Sequence, residues 1–158
     1  MNFGRRQRDK QQQSEPILAQ RGHWVMHIDT REAAVNLYSI LQAFHRSGRT
    51  GIGGRESVRH IEKWLSSIEK QVSDVKRLAA DTQGPFRKRD LSPIDVSLEL
   101  DAKERALMLT ICQIIHSQLL TSEGKRNWIE NQGRADYELA VKNFKGWVNA
   151  LSREKDSG

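Results

Sequence analysis

The side chains whose types and spacing could do chemistry are mainly basic, and they cluster in three short segments. One segment lies near the N-terminus, one at a glycine-rich loop over residues 48–54, and one in a connector over residues 84–90. The candidate phosphate-contact residues are Arg5, Arg6, Arg8, Lys10, Arg49, Arg55, Arg87, Lys88 and Arg89. Such residues neutralise phosphates and strengthen binding in a salt-dependent way without reading base sequence. The alternative is that they only keep exposed segments soluble.

The distribution of charge supports the first interpretation. The chain has 26 lysines and arginines against 20 acidic residues, a net charge of +6. Residues 1–21 contribute +3 of this excess and residues 84–90 contribute +2. The rest of the chain is therefore nearly neutral, and an arm and a linker carry the charge that would attract DNA or RNA. Whether the glycine-rich loop 48–54 also binds an anion stays open.

Catalytic and metal-binding patterns do not stand out. No Ser-His-Asp, Cys-His or paired-carboxylate arrangement is evident, and Cys112 is a single cysteine, which excludes an internal disulfide. His23 and His27 lie four residues apart in a predicted strand, which places them ~13 Å apart, too far to bind one ion. We therefore predict a protein that is not an enzyme and that has no cofactor and no metal site.

The periodicity of apolar residues predicts the elements that carry these segments. Residues 23–28 and 94–100 alternate in the manner of strands, and each is followed by a helix. The helix after the first strand ends at Ser47, and a long second helix is predicted over residues 55–80. In the second half the last helix follows a polar connector, in which Trp128 and Ile129 form at most one extra turn.

Two apolar stripes mark the closing helix of each half, and we interpret them as core or as interface. The first stripe comprises Val58, Ile61, Trp64, Leu65, Ile68, Val72 and Val75. The second stripe comprises Phe144, Trp147 and Val148. A stripe of this kind must pack against another helix to be stable in water.

An internal duplication organises the chain. Residues 25–32 match residues 97–104 in type at an offset of 72, and both copies contain the same Asp and Glu, at Asp29 and Glu32 and at Asp101 and Glu104. The closing helices match at an offset of 83, so the second copy has eleven extra residues in its connector. We predict a single domain over 22–153, made of repeats 22–83 and 91–153 joined by the basic linker 84–90.

The predicted fold class is α+β and mainly helical. Two pseudo-symmetric strand-helix-helix units form a small antiparallel sheet packed on a four-helix layer. A disordered basic arm precedes them over residues 1–21, and a frayed tail follows over residues 154–158. Because a two-stranded sheet leaves both edges open, either the helices cover the edges or the protein forms a homodimer, which we favour.

Two functions fit this sequence. The first is a small nucleic-acid-associated accessory protein that contacts DNA or RNA phosphates through the arm and linker without sequence readout. The second is a protein-interaction or assembly factor, of the type that phages and mobile elements encode, which binds a partner through the apolar stripes. No run of 18 apolar residues occurs and no apolar segment follows the charged N-terminus, so we expect a cytoplasmic protein without a membrane partner.

Overall fold

The computed structural model describes residues 17–20, 22–47, 54–81 and 88–153. The strands are β1 (Ile17–Gln20), β2 (His23–Thr30) and β3 (Pro93–Leu100). The helices are α1 (Arg31–Ser47), α2 (Gly54–Gln71), α3 (Val75–Ala80), α4 (Ala102–Leu119), α5 (Ser122–Gln132) and α6 (Arg134–Ser152). The mainly helical α+β class is confirmed. The tail over 154–158 lies outside the described residues.

The two predicted strands pair antiparallel, as the sequence predicts, in a register that agrees with the proposed duplication. Met26 lies opposite Leu98, its own counterpart in the second repeat, and Ile28 lies opposite Val96. Trp24 lies opposite Leu100. A local twofold axis through the middle of the strand pair would exchange this pair of residues with the pair Ile28 and Val96, so the register agrees with pseudo-symmetry. Superposition of the whole repeats stays a prediction.

Both outer edges of this strand pair are occupied, one of them by a strand that the sequence does not predict. Residues 17–20, predicted as part of a disordered arm, form β1 and pair antiparallel with β2, so the sheet has the order β1-β2-β3. Residues 1–16 and 21 lie outside the described residues. On the other edge, Gln71 Nε2 donates to the Ser97 carbonyl at 2.8 Å and Ser97 N donates to Gln71 Oε1 at 2.9 Å. The Gln71 amide therefore satisfies edge groups of β3 as a neighbouring strand would.

The sheet face predicted to meet the helices is buried. Alternation places on it Trp24, Met26, Ile28, Val96, Leu98 and Leu100, and all six belong to the core. The apolar stripes join the same core. Seven of their members are buried, namely Ile61, Trp64, Ile68, Val72, Val75, Phe144 and Trp147. Val58, Leu65 and Val148 are half-buried.

The long helix predicted over 55–80 is wrong, because the chain bends between α2 and α3. Val75 N donates to the Val72 carbonyl at 3.0 Å, a tighter turn than an α-helix makes. The bend lets Val72 and Val75 both enter the core, at 4% and 0% exposure. It also places Asp74 where its carboxylate accepts from Arg31 at 2.5 Å, and this interaction lowers the Asp74 pKa.

The polar connector of the second half forms a complete helix, α5, of 11 residues rather than one turn. Its N-cap is Thr121, whose hydroxyl accepts from Gly124 N at 3.0 Å. Gly133, with φ of 92°, then reverses the chain into α6. With α3 and α5, the described residues contain six helices, so the predicted four-helix layer is too simple.

Candidate phosphate-contact surface and buried ion cluster

Three of the nine candidate phosphate-contact residues lie in the described part of the chain. Arg55 is exposed in the first turn of α2, Lys88 is exposed in the connector, and Arg89 is largely buried. The other six lie outside the described residues: Arg5, Arg6, Arg8, Lys10, Arg49 and Arg87. The three described residues differ in their surroundings, so they cannot share one role.

Arg55 belongs to a group of exposed arginines at one end of the α1–α2 pair. The two helices pack side by side, since His45 Nε2 lies 2.9 Å from Glu62 Oε2 and the Tyr38 hydroxyl donates to Glu69 at 2.5 Å. The end of α1 therefore lies near the start of α2. Arg46 is exposed in the last turn of α1, and Arg55 and Arg59 are exposed one turn apart on α2. We call Arg46, Arg55 and Arg59 the basic tip.

The carboxylates of Glu56 and Glu62, which lie on α2 near the basic tip, pair with other side chains. Glu56 Oε1 lies 3.5 Å from Lys103 Nζ and 3.8 Å from His60 Nε2, and Glu62 pairs with His45. Within the described residues, the three guanidinium groups of the basic tip make no ion pair. An exposed cluster of unpaired cations attracts anions, and it does so less strongly as salt increases.

Arg89 is a correction to the predicted phosphate contacts. Its side chain is 10% exposed, and its Nη1 lies 3.3 Å from Glu32 Oε2 and 3.3 Å from Asp136 Oδ1. The Gln132 carbonyl accepts from its other terminal nitrogen. Both carboxylates are 1% exposed. The guanidinium is therefore committed to buried carboxylates and is not available to a phosphate in solution.

The backbone explains how the connector reaches this place. Glu32 N donates to the Asp90 carbonyl at 2.9 Å, and Asp90 N donates to Glu32 Oε1 at 3.3 Å. Arg31 N donates to the Ser92 carbonyl at 3.0 Å. These bonds satisfy amide groups in the first turn of α1, which have no partner within the helix. The connector is thereby fixed against the N-terminus of α1, with Arg89 directed inward.

Two acids and one arginine in a buried cluster do not balance in charge. Burial and, next, the hydrogen bond with the Glu32 carboxyl raise the pKa of Asp136 from 3.8 to about 7, while the bond from Trp128 and the charge of Arg89 oppose the rise. Trp128 Nε1 donates to Asp136 Oδ2 at 2.8 Å. With Asp136 protonated, Glu32 and Arg89 form a neutral pair, which favours the protonated form and agrees with the raised pKa.

Sequence reasoning missed this cluster because its parts come from three distant segments. A signal was present in the duplication, since Glu32 and its counterpart Glu104 are both buried and both bind cations. Glu104 lies 3.0 Å from Lys63 Nζ and 3.1 Å from His60 Nδ1, and it also forms a capping box with Asp101. A glutamate retained at the same place in both repeats is therefore a structural anchor in each.

Comparison with family models, with curated proteins and with solved structures finds no match to this chain. In the described part of the chain, no helix is long and apolar enough to cross a membrane. Over the same residues, no group of three or more His, Cys, Asp or Glu side chains could hold a metal ion.

Proposed function

We propose that this protein is a non-enzymatic, nucleic-acid-associated accessory protein that contacts phosphates of DNA or RNA without reading their sequence. The observation that carries the proposal is the basic tip, where Arg46, Arg55 and Arg59 are exposed without an ion pair among the described residues. Arginine is suited to this task, because its guanidinium stays charged and binds phosphate oxygens in pairs.

The basic segments outside the described residues add to the proposal. Loop 48–53, which contains Arg49, joins α1 to α2, so Arg49 is near the tip in the chain. The arm carries Arg5, Arg6, Arg8 and Lys10, and Arg87 and the exposed Lys88 belong to the connector. Arg89 leaves the predicted set because of its buried ion pairs. We expect the protein to act in the cytoplasm. The homodimer predicted from open sheet edges loses that support, because β1 pairs with one edge of the β2–β3 pair and Gln71 bonds the Ser97 backbone on the other, and it stays a prediction that a molecular-mass measurement in solution tests.

The protein-interaction function has less support. Its predicted binding surfaces, the two apolar stripes, are mostly buried in the core. Among the described residues, the exposed large apolar side chains are Leu91 and Leu120, at 56% and 62% exposure. They are separate in the chain, and Leu120 lies at the end of α4 while Leu91 precedes β3. A partner would therefore need a surface other than the stripes, and this function stays an alternative.

A salt series tests the proposal. Fluorescence anisotropy of labelled DNA and RNA is measured with the native protein and with the triple variant Arg46→Gln, Arg55→Gln, Arg59→Gln. Each phosphate contact contributes about 0.9 to the slope of log affinity against log salt for duplex DNA and about 0.7 for single strands. Loss of three contacts should therefore reduce the slope by about 2 to 3 and weaken binding across all sequences.

The matched control is Lys70→Gln, Lys142→Gln, Lys145→Gln, which removes the same charge from exposed positions on α2 and α6. We expect its slope to stay close to that of the native protein. Equal effects in both triple variants would mean that only net charge matters and would refute the basic tip as the contact site. Absence of binding by the native protein at low salt would refute the proposal and favour the protein-interaction function.

A further inference from the structure

A cavity of about 560 Å³ lies between α1, the end of α4 and α5. Its size is within the range of small-molecule sites, roughly 300 to 1,000 Å³. Among the described residues that line it, every side chain is uncharged. The apolar part of the wall comprises Ile40, Ile115, Leu119 and Trp128. The polar part is dominated by carboxamides, from Asn36, Gln118, Asn127, Asn131 and Gln132.

Asn36 makes this cavity more than a gap in the packing. It lines the wall from the second turn of α1, it is 5% exposed, and its Nδ2 has no hydrogen-bond partner among the residues that the structure describes. A buried amide donor without an acceptor costs free energy, and native proteins retain few of them. A carboxamide held unpaired at a cavity wall is therefore suited to an acceptor that a ligand supplies.

Trp128 has a fixed place in the same wall. Its Nε1 donates to Asp136 Oδ2 in the buried ion cluster, which anchors the indole at one edge. Gln132, also in the wall, is tied through its carbonyl to Arg89. One side of the cavity is thus tied to the buried ion cluster by hydrogen bonds, whereas Gln118, Asn127 and Asn131 line it from the exposed side. Such support is what holds a binding wall in shape before the ligand arrives.

We propose that this cavity binds an uncharged nucleobase ring. A flat heteroaromatic ring has apolar faces for the isoleucine, leucine and tryptophan side chains, and donors and acceptors on its edge for the carboxamides. Asparagine and glutamine pair with base edges in this way, and aromatic side chains stack on base faces. A phosphate or carboxylate ligand would find no opposite charge among the described residues of the wall, and binding of a sugar is an outcome that the test below distinguishes.

The ring has two possible sources, a free base or nucleoside and an unpaired base of a nucleic-acid strand. The inference does not depend on the basic tip, since none of its arginines lines the cavity. The test uses adenine, uracil, adenosine, uridine and short single strands as probes, with glucose and inorganic phosphate as negative probes. Binding is measured by calorimetry and by tryptophan fluorescence. Trp24, Trp64 and Trp147 are at most 8% exposed, so a change in fluorescence reports mainly Trp128.

The diagnostic variant is Asn36→Leu, which keeps the size of the side chain and removes the unpaired donor. We expect it to weaken base binding about tenfold or more, the loss that one missing hydrogen bond produces, without lowering the midpoint of thermal unfolding. Ser39→Leu, which fills the cavity from the same face of α1, should also weaken binding. The control is Asn149→Leu at an exposed position on α6, for which we expect no change.

Binding of free bases or nucleosides identifies a small-molecule site, whereas binding of single strands alone identifies an unpaired base as the ligand. Either result, if lost in Asn36→Leu, supports the proposal. No binding of any base-containing probe would overturn it, as would binding that Asn36→Leu leaves unchanged or glucose binding of equal strength. The triple variant of the basic tip should leave free-base binding intact, which keeps this test separate from that of the proposed function.

Discussion

Replacing Arg89 with methionine tests whether this residue anchors the fold or contacts phosphate. Arg89→Met keeps the aliphatic length of the side chain and removes the guanidinium that lies 3.3 Å from both Glu32 and Asp136. The two carboxylates, each 1% exposed, then remain in the core without the cation. Leaving one partner of a buried ion pair behind costs about 3–5 kcal/mol, because the remaining charge is neither solvated nor paired.

The loss of stability should depend on pH. Without Arg89, Glu32 can remain buried if its carboxylate takes up a proton. For a glutamate with an ordinary pKa near 4.3, this protonation costs about 1 kcal/mol of free energy at pH 5 and about 5 kcal/mol at pH 8. The lost hydrogen bond to the Gln132 carbonyl adds about 1 kcal/mol at either pH. We therefore expect Arg89→Met to lose about 2 kcal/mol at pH 5 and about 6 kcal/mol at pH 8, which is comparable to the whole stability of a typical domain.

Asp136 gives an independent check on the same cluster. Its pKa is raised from 3.8 to about 7 in the folded protein, so the folded state binds this proton more tightly than the unfolded chain does. The stability of the native protein should therefore be greatest below about pH 4 for this group and fall as pH rises through about 7. Asp136→Asn, which is neutral at every pH, should remove this decline.

Urea denaturation followed by tryptophan fluorescence at pH 5, 6, 7 and 8 measures these effects. This pH range lies above the ordinary pKa of Asp74. The lowered pKa of Asp74 stabilises the folded protein above pH 3.8, and this stabilisation is lost as pH falls through and below 3.8, which is the opposite of the dependence expected from Asp136. The control is Lys88→Met at the exposed neighbouring position, which should change stability by less than about 0.5 kcal/mol. The reasoning fails if Arg89→Met is as stable as Lys88→Met at pH 8, or if its loss is the same at all four pH values.

Substitutions at two glycines and at two apolar positions test the packing. A Cβ at Gly124 would lie 1.9 Å from the Gln118 carbonyl oxygen. Gly124→Ala should therefore lower the free energy of unfolding by at least about 2 kcal/mol, because it forces α4 and α5 apart. Gly146 has open space around it, so Gly146→Ala should be neutral or slightly stabilising by thermal unfolding. Val148 and Leu65 are half-buried against the core, so an aspartate at either position should cost several kcal/mol in urea denaturation. A variant that stays fully folded by circular dichroism and loses self-association would show instead that the stripe is an interface.

The sequence by itself determined the elements that local patterns specify. Strict alternation in 94–100 and in 23–28 identified two strands and their buried faces, because side chains alternate across a strand with period two. The helix predicted after the second strand is α4, and the capping box of Asp101 and Glu104 at its start is a local feature of four consecutive residues. The duplication then implied antiparallel pairing about a local twofold axis, and the register of Met26 opposite Leu98 agrees with it.

Tertiary structure decided the features in which distant residues meet. The bend between α2 and α3 places Asp74 beside Arg31, 43 positions away in the chain, and the unbroken apolar stripe gave no sign of it. Arg89 has the local sequence of a solvated linker, and only its docking against the first turn of α1 shows that it neutralises buried acids. A sequence specifies the charge of a residue but not its surroundings. Burial and the nearest opposite charge decide whether an arginine binds a phosphate or stabilises the fold.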